Sequence, residues 1–329
     1  PKKGAQLITP PPAWPMKVLR LAKRLTPPGL PLNLADRQFM KTRRSTILLL
    51  GFGIVLGVTG CTTPKLAQQK RVVYGERNEH ELAYEFLQPQ KTNGLGVVVM
   101  VSGGWRSNPD DFKPKIGKAF LRRGYTLFAV SHLSQPKATI PEIYEDVTRA
   151  VRHIREHADE YGVDRGQLGV TGASAGGHLS LMIATRGKET TGKPDGLVRA
   201  VAIFFPITDM LNLGKPSKKE KDGGPPKKFR MVFGIDPDDI DAWNRVGREL
   251  SPIHHIDADT PPVLIIHGDA DEVVSIKQSE WYIDAAKKHG AKAKLIRKRG
   301  KGHGWATILW DIRQFAKWFD EHLEPPANN

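Results

Sequence analysis

The sequence predicts an α/β fold, with a mostly parallel central sheet and helices on both of its faces. Short apolar runs at 95–101 and 263–267 are typical of strands that are covered on both faces. Between such runs lie amphipathic stretches, and in 141–161 the apolar residues recur at helical spacing. Strand and helix signals therefore alternate along the chain, as they do where helices connect parallel strands.

The predicted elements follow one another with short connections. Residues 71–74 and 81–87 alternate between apolar and polar, which predicts two antiparallel edge strands joined by a turn at 75–80. Further strands are predicted at 95–101, 125–130, 167–170, 200–205, 263–267 and 293–297, and helices at 115–123, 141–161, 175–185, 276–289 and 307–323. A stretch rich in lysine, proline and glycine at 215–228 cannot pack as a core, so we expect a small lid or a solvated loop at about 213–250.

The charge of the chain does not indicate a nucleic-acid-binding protein. The formal net charge is +15, but residues 1–60 hold ten Lys and Arg against the single acid Asp36, which leaves +6 on the rest. Nucleic-acid binders cluster their basic residues on one element, with aromatic or helix-turn-helix context. We therefore expect no nucleic-acid partner.

The segment 40–60 has the pattern of a secretory signal sequence. A basic flank after Met40 precedes an apolar run of 12 residues at 47–58, which is shorter than the ~20 residues that a membrane-spanning helix needs. Residues 58–61 read V-T-G-C and resemble a bacterial lipobox. That resemblance implies that Cys61, the only cysteine, is lipidated and becomes the mature N-terminus in the cell envelope. An uncleaved anchor or a chance apolar run are the alternatives.

This interpretation divides the chain into four parts. Because signal sequences begin at the N-terminus, residues 1–39 are interpreted as disordered or as a mis-called upstream extension, with Met40 as the initiator. The signal peptide at 40–60 is followed by a polar tether at 61–70. Residues 71–325 then form the globular domain.

Ser174 lies in the motif G-A-S-A-G at 172–176, between a predicted strand and a predicted helix. In G-x-S-x-G the two glycines allow the strand and helix to approach closely, while the serine lies on a strained turn with its Oγ exposed. The N–H groups at the start of the helix favour a developing negative charge. The pattern predicts a nucleophilic serine, although an isolated match is also compatible with a turn of small residues.

Two later loops supply an acid and a base in the order Ser, Asp, His. Strand 263–267 runs into H-G-D-A-D-E-V-V, which contains Asp269, Asp271 and Glu272, and G-K-G-H-G-W places His303 between glycines before the last helix. Together with G-A-S-A-G-G-H-L and S-P-I-H-H-I, these segments resemble the esterase and prolyl-oligopeptidase-like branch of the α/β-hydrolases, near acetyl-xylan and feruloyl esterases. The resemblance extends from about residue 72 to 323.

The resemblance implies an α/β-hydrolase fold and assigns roles to the three residues. Ser174 is the nucleophile, His303 the general base and acid, and Asp271, which aligns with the acid of the D-x-x-V pattern, orients the histidine. The counterpart of Asp269 makes structural hydrogen bonds, and Glu272 is a more distant candidate. No metal or other cofactor is expected for this chemistry.

The strand at 95–101 ends in S-G-G-W, where the family usually has H-G-G-G-W. Backbone N–H groups of that loop form half of the oxyanion hole, and the shorter run leaves the donor open between Gly104 and Trp105. Since every residue except proline has an N–H, the hole can survive the change at Ser102. The second donor is expected to be the N–H of Ala175.

The remaining polar residues in these motifs are interpreted as structural. Asp209 lies in a loop that resembles P-P-T-D, where the aspartate is more often a hydrogen-bonding residue than a catalytic one. The other histidines beside packed elements are expected to be satisfied within the fold; they are His178, His254, His255 and His267.

These observations favour a serine carboxylic-ester hydrolase acting on small acyl or carbohydrate esters. A prolyl-oligopeptidase-like serine peptidase is an alternative, although such peptidases usually carry a propeller domain before the hydrolase domain. A non-catalytic envelope lipoprotein that retained the fold is another. The sequence does not indicate the acyl specificity or the oligomeric state.

Overall fold

The computed structural model describes residues 64–187, 196–213 and 225–326. The predicted extension, the signal peptide and Cys61 lie outside the described residues. So does the part of the predicted lid at 214–224.

An eight-stranded sheet, in the order β1-β2-β4-β3-β5-β6-β7-β8, forms the centre of the described residues. The strands are β1 (Leu66–Arg77), β2 (His80–Pro89), β3 (Gly96–Met100), β4 (Thr126–Val130), β5 (Leu168–Ala173), β6 (Ala200–Phe204), β7 (Val263–Gly268) and β8 (Ala293–Lys298). All pairs from β4 to β8 are parallel, whereas β1 and β2 add an antiparallel edge. The predicted mostly parallel sheet is confirmed.

Two details of the antiparallel edge differ from the prediction. β1 begins at Leu66, inside the segment predicted as a tether, because residues 66–70 pair with β2. The turn is tighter than predicted: Asn78 and Glu79 alone have positive φ, of 50° and 60°. Positive φ at both central positions is typical of a type I′ turn, and Asn tolerates this conformation well. Gly75 lies within β1, beside a register shift.

Helices cover both faces of the sheet, as predicted. They are α1 (Lys118–Leu121), α2 (Ile140–Glu156), α3 (Ala175–Arg186), α4 (Lys227–Met231), α5 (Ile240–Glu249), α6 (Lys277–Lys288) and α7 (Ile308–His322). One apolar core includes side chains of α2, α3, α5 and α6, and a second includes those of α1 and α7. Helix α1 is shorter than the predicted 115–123. Helix α2 ends at Glu156, and a separate 3₁₀ turn spans Asp159–Tyr161.

The described part of the predicted lid is packed against the domain. Phe233 and Trp243 are each 2% exposed, with ring centroids 5.0 Å apart. The rings of Phe229 and Phe233 also contact Trp105, which is itself 6% exposed. Residues 225–250 therefore contribute to the core beside the loop that follows β3.

No helix within the described ranges combines the length and the apolar character that crossing a membrane requires.

Candidate active site

Ser174 lies on a strained turn between β5 and α3. Its φ of 56° and ψ of −120° are unusual for a residue with a side chain, and it occupies the N-cap position of α3. The C-terminal ends of the parallel strands meet at this edge of the sheet, so the loops after β3, β6, β7 and β8 surround the serine.

The glycines on either side of Ser174 are required by close backbone contacts. A Cβ on Gly172 would lie 2.5 Å from both the carbonyl carbon and the oxygen of Gly176. A Cβ on Gly176 would lie 2.6 Å from the carbonyl oxygen of Met100, at the end of β3. These separations are shorter than any carbon atom tolerates, so both positions of the G-x-S-x-G motif exclude a side chain.

Gly172→Ala is expected to lower the free energy of unfolding by about 1–3 kcal/mol, because the new methyl group displaces the backbone of α3 from β5. Urea unfolding measures this loss, and the displaced turn should lower ester hydrolysis as well. Gly196→Ala is the matched control, since the nearest atom to its Cβ is the Val198 oxygen at 3.5 Å. Equal stability of the two variants would contradict the prediction.

A hydrogen-bond chain joins the three residues that the sequence singled out. The Nε2 atom of His303 lies 3.1 Å from Ser174 Oγ, and its Nδ1 atom lies 2.7 Å from Asp271 Oδ2. Because an ionised carboxylate can only accept, Nδ1 carries the proton of the neutral imidazole and Nε2 accepts from the Ser174 hydroxyl. The arrangement can therefore remove a proton from the serine oxygen.

Asp271 is a buried carboxylate with three hydrogen-bond donors and a fourth N–H, that of His267, close to it. Its Oδ1 accepts from the N–H groups of Val273 and Val274 at 2.8 and 2.9 Å, and its Oδ2 lies 2.7 Å from His303 Nδ1 and 3.3 Å from His267 Nε2. Burial acts to raise the pKa of Asp271, but the hydrogen bonds from His267, His303 and Val274 outweigh it and hold the pKa well below its usual range. The group therefore stays negative.

The other acids that were candidates have structural contacts. Asp269 Oδ1 accepts from the Gly300 N–H at 2.6 Å and so closes the loop before His303. The carboxylate of Asp209 accepts from Leu211 N and from Asn212 Nδ2, which fits its predicted structural role. Glu272 is exposed.

Two residues that contact His303 or Asp271 were not assigned to the site from the sequence. His267 was interpreted as structural, yet its Nε2 faces both Asp271 Oδ2 and the Val274 carbonyl, so that nitrogen carries the proton, while Nδ1 accepts from Ser279 Oγ at 2.6 Å. The ring of Phe205 packs against the His303 ring with centroids 4.3 Å apart. The position of His267 four residues before Asp271 was the available signal for the first of these.

The loop after β3 lies against the start of α3. The Gly176 N–H donates to the Ser102 carbonyl at 3.1 Å. In the hydrogen bonds formed among the described residues, the N–H groups of Gly104, Trp105 and Ala175 donate to no acceptor. None of the three is engaged by another residue, so Gly104 and Trp105 both remain candidates for the loop donor.

Buried histidines outside the hydrogen-bond chain are satisfied. The indole N–H of Trp105 donates to His178 Nδ1 at 3.2 Å, so the Nε2–H of His178 donates to the Leu250 carbonyl at 2.8 Å. Burial lowers the pKa of His178 to about 4. His132 Nε2 accepts from the Ser102 hydroxyl at 2.9 Å, and burial lowers its pKa to about 4 as well. Both rings are neutral supports for neighbouring loops.

His254 and His255 are not buried, and His255 Nε2 lies 2.8 Å from the Glu249 carbonyl. No group of three or more His, Cys, Asp or Glu side chains within residues 64–187, 196–213 and 225–326 is arranged to hold a metal ion.

Solved structures with the same fold are esterases by their titles. A truncated form of a carbohydrate esterase from gut microbiota superimposes with a TM-score of 0.65 at 27% identity, covering 79% of this chain and all of that one. The native thermophilic esterase Est2 of Thermogutta terrifontis gives a TM-score of 0.62 at 24% identity, covering 79% and 95% of the two chains. The fold is that of the α/β-hydrolases.

Sequence relatives carry similar names. "Probable carboxylic ester hydrolase LipM" of Mycobacterium tuberculosis (strain ATCC 25618 / H37Rv) is 29% identical over 49% of this chain, and "Esterase LipC" of the same strain is 25% identical over 74%. The chain spans only 37% and 61% of the lengths of these two relatives. A model of the BD-FAE family matches residues 85–285, which is more than half of the sequence. The chain is therefore a member of the BD-FAE family.

Proposed function

We propose that this protein is a serine carboxylic-ester hydrolase that acts through an acyl-enzyme intermediate. The observation that carries the proposal is the hydrogen-bond chain from Ser174 Oγ through His303 to the Asp271 carboxylate. Membership of the BD-FAE family and the named esterases among the relatives support the same activity.

In the first half of the reaction, Ser174 Oγ attacks the carbonyl carbon of the ester and its proton passes to His303 Nε2. The imidazolium that forms is stabilised by Asp271, whose carboxylate already lies 2.7 Å from Nδ1. The negative charge on the carbonyl oxygen is met by the Ala175 N–H at the start of α3 and by an N–H of the loop after β3.

Collapse of this intermediate breaks the bond to the alcohol oxygen, which takes the proton from His303 Nε2 and departs. Water then donates a proton to the same nitrogen as its oxygen attacks the acyl carbon. The second intermediate releases the carboxylic acid and returns the proton to Ser174. Phe205 packs on one side of the His303 ring, with the ring centroids 4.3 Å apart.

Small acyl esters and acylated carbohydrates are the substrate classes that we infer. The solved carbohydrate esterase shares 27% identity with this chain over its whole length, which is the basis for carbohydrate esters. The test is hydrolysis of a panel of p-nitrophenyl esters of increasing chain length, acetylated xylan and a prolyl peptide. Cleavage of the peptide alone would contradict the esterase proposal and favour a peptidase.

A fluorophosphonate probe tests the acyl-enzyme step directly. It should label the wild-type protein at Ser174 and leave Ser174→Ala unlabelled, because the probe forms a covalent bond with an activated serine oxygen. A folded wild-type protein that resists labelling would indicate a binding protein rather than an enzyme.

We further infer from the lipobox-like sequence that Cys61 is lipidated and anchors the protein in the bacterial cell envelope. One acyl group alone gives marginal, reversible membrane binding, so stable anchoring requires more than one chain at the cysteine. The domain from Leu66 onward would then lie close to the membrane surface.

Cys61→Ser is expected to move the protein from the membrane fraction to the soluble fraction, because the acylated sulfur is lost. Fractionation followed by immunoblotting measures the change, and mass spectrometry of the mature N-terminus identifies the modified residue. Deletion of residues 1–39 is the control and should leave processing intact. Unchanged membrane association of Cys61→Ser would contradict lipidation at this site.

A further inference from the structure

The loop after β3 contains a two-residue hairpin turn. Gly103 and Arg106 exchange two backbone hydrogen bonds, from Gly103 N to Arg106 O at 2.9 Å and from Arg106 N to Gly103 O at 3.1 Å. The two residues between them, Gly104 and Trp105, have positive φ angles of 58° and 55°. Positive φ at both central positions identifies a type I′ turn.

The central peptide of this turn, between Gly104 and Trp105, takes no part in the bonds between Gly103 and Arg106. Rotation of this single peptide plane converts type I′ into type II′, in which only the first central residue keeps a positive φ. A bulky residue such as Trp105 is disfavoured in the left-handed region, so the turn by itself favours the rotated form.

Rotation would reverse the polarity of the site. In a trans peptide the carbonyl and the N–H point in opposite directions. After rotation, the Gly104 carbonyl oxygen would therefore point where the Trp105 N–H points now. An oxygen in that position repels the negative charge that an oxyanion hole must stabilise.

Gln135, in the loop after β4, contacts the carbonyl groups of both central residues of the turn. Its Nε2 donates to the Gly104 carbonyl, which belongs to the central peptide, in an exposed hydrogen bond of 3.4 Å. Its backbone N–H donates at 3.1 Å to the Trp105 carbonyl, which belongs to the next peptide. The opposite orientation of the side-chain amide would bring two carbonyl oxygens together. The remaining atom, Oε1, is buried and has no partner among the described residues.

The rest of the loop has other supports: the Ser102 carbonyl accepts from Gly176 N, and the Trp105 indole donates to His178. The Gly104–Trp105 peptide is the part that these contacts leave free to rotate.

We propose that Gln135 is a positioning residue, which holds the Gly104–Trp105 peptide so that the Trp105 N–H acts as an oxyanion donor. The proposal rests on the esterase activity proposed above. It selects Trp105 from the two loop donors that the sequence left open, and it assigns a role to a side chain outside the hydrogen-bond chain.

The test is Gln135→Met, which keeps the length of the side chain and removes its N–H donor. We expect kcat to fall at least about 10-fold, toward the ~10²–10³ that loss of a whole oxyanion donor costs, with KM little changed. The Tm should change little, because the single hydrogen bond that the variant removes is exposed. The inhibition constant of an alkyl boronic acid, whose adduct with Ser174 is tetrahedral, should rise by a similar factor.

Gln88→Met is the matched control. Its Nε2 also donates to a backbone carbonyl, that of Tyr161 at 3.0 Å, but away from the site, so kcat should not change. Gln135→Glu, which has no donor when ionised and repels the Gly104 oxygen, should reproduce the loss of kcat and serves if the methionine variant does not fold.

Wild-type kcat and boronic acid inhibition in a folded Gln135 variant would overturn the proposal, as would a rise in KM without a fall in kcat. These outcomes differ from a failure of the esterase proposal itself, in which the wild-type protein would hydrolyse none of the esters.

Discussion

Ser174→Ala and His303→Ala are each expected to lower kcat for ester hydrolysis by roughly 10⁶-fold, as the loss of either member of such a pair does in a serine protease. Without the Ser174 oxygen no acyl-enzyme forms. Without His303 nothing accepts the proton across the 3.1 Å contact between Nε2 and Oγ. Slow hydrolysis above the rate in water should persist, since the oxyanion donors and the binding surface remain.

The double variant Ser174→Ala/His303→Ala should be little worse than either single variant. The effects of substituting two groups that act as one unit are not additive, because once one group is removed the other no longer contributes to the rate. Steady-state kinetics on folded, purified protein measure all three rates. Ser180→Ala is the control on the same helix: it removes a buried hydroxyl that donates to the Gly176 carbonyl within α3. Its activity should stay within a few-fold of wild type.

Unchanged hydrolysis in Ser174→Ala would contradict both the assignment and the esterase proposal in this form. Losses that multiply in the double variant would show that Ser174 and His303 act independently, which the hydrogen bond between them argues against.

Local signatures made the strands and the three candidate residues predictable. The glycines around Ser174 are fixed by contacts between β5, α3 and the end of β3, so the motif records a steric requirement that any sequence with this turn must meet. The glycines near His303 have a different cause, which is backbone conformation: Gly300 and Gly304 both have positive φ. The order of the parallel strands then brings the loops together, because their carboxyl ends share one edge.

Contacts between distant loops could not be predicted in the same way. Gln135 lies in the loop after β4, and its side chain donates to the carbonyl of Gly104 in the loop after β3. No spacing of residues in the sequence predicts such a contact. The extension of β1 to Leu66 was missed because its polar, exposed residues resemble a tether, and its order comes from pairing with β2. In both cases the contact depends on a hydrogen bond to a backbone group of a distant segment, which leaves little trace in residue type.

Asp269 and Asp271 lie two residues apart in the loop after β7, and their hydrogen-bond partners distinguish their roles. The sequence favoured Asp271 through a resemblance, with Asp269 as a close competitor two residues away. The structure separates them by partner: Asp271 reaches His303, whereas Asp269 reaches the Gly300 N–H. This difference can be tested by changing each carboxylate into the amide of the same size.

Asp271→Asn is expected to lower kcat/KM by roughly 10⁴-fold, as the same change does in the serine protease triad. Every neighbour of the carboxylate is a donor: the Val273 and Val274 N–H groups at Oδ1, and His303 Nδ1 and His267 Nε2 at Oδ2. An amide has one NH₂ group, and either orientation places it against donors. If it faces the histidines, His303 must shift its proton from Nδ1 to Nε2 and can no longer accept from Ser174.

Asp269→Asn is the matched control, because its amide oxygen can still accept from the Gly300 N–H. It should act mainly through stability and change kcat/KM little. Kinetics on folded samples, with Tm measured alongside, separate the two variants. The assignment would be overturned if Asp271→Asn kept the wild-type kcat/KM while folded Asp269→Asn lost it by orders of magnitude. We expect instead that only Asp271→Asn loses kcat/KM, because Asp271 is the carboxylate that keeps the proton of His303 on Nδ1. The transfer of the Ser174 proton to Nε2 depends on that tautomer.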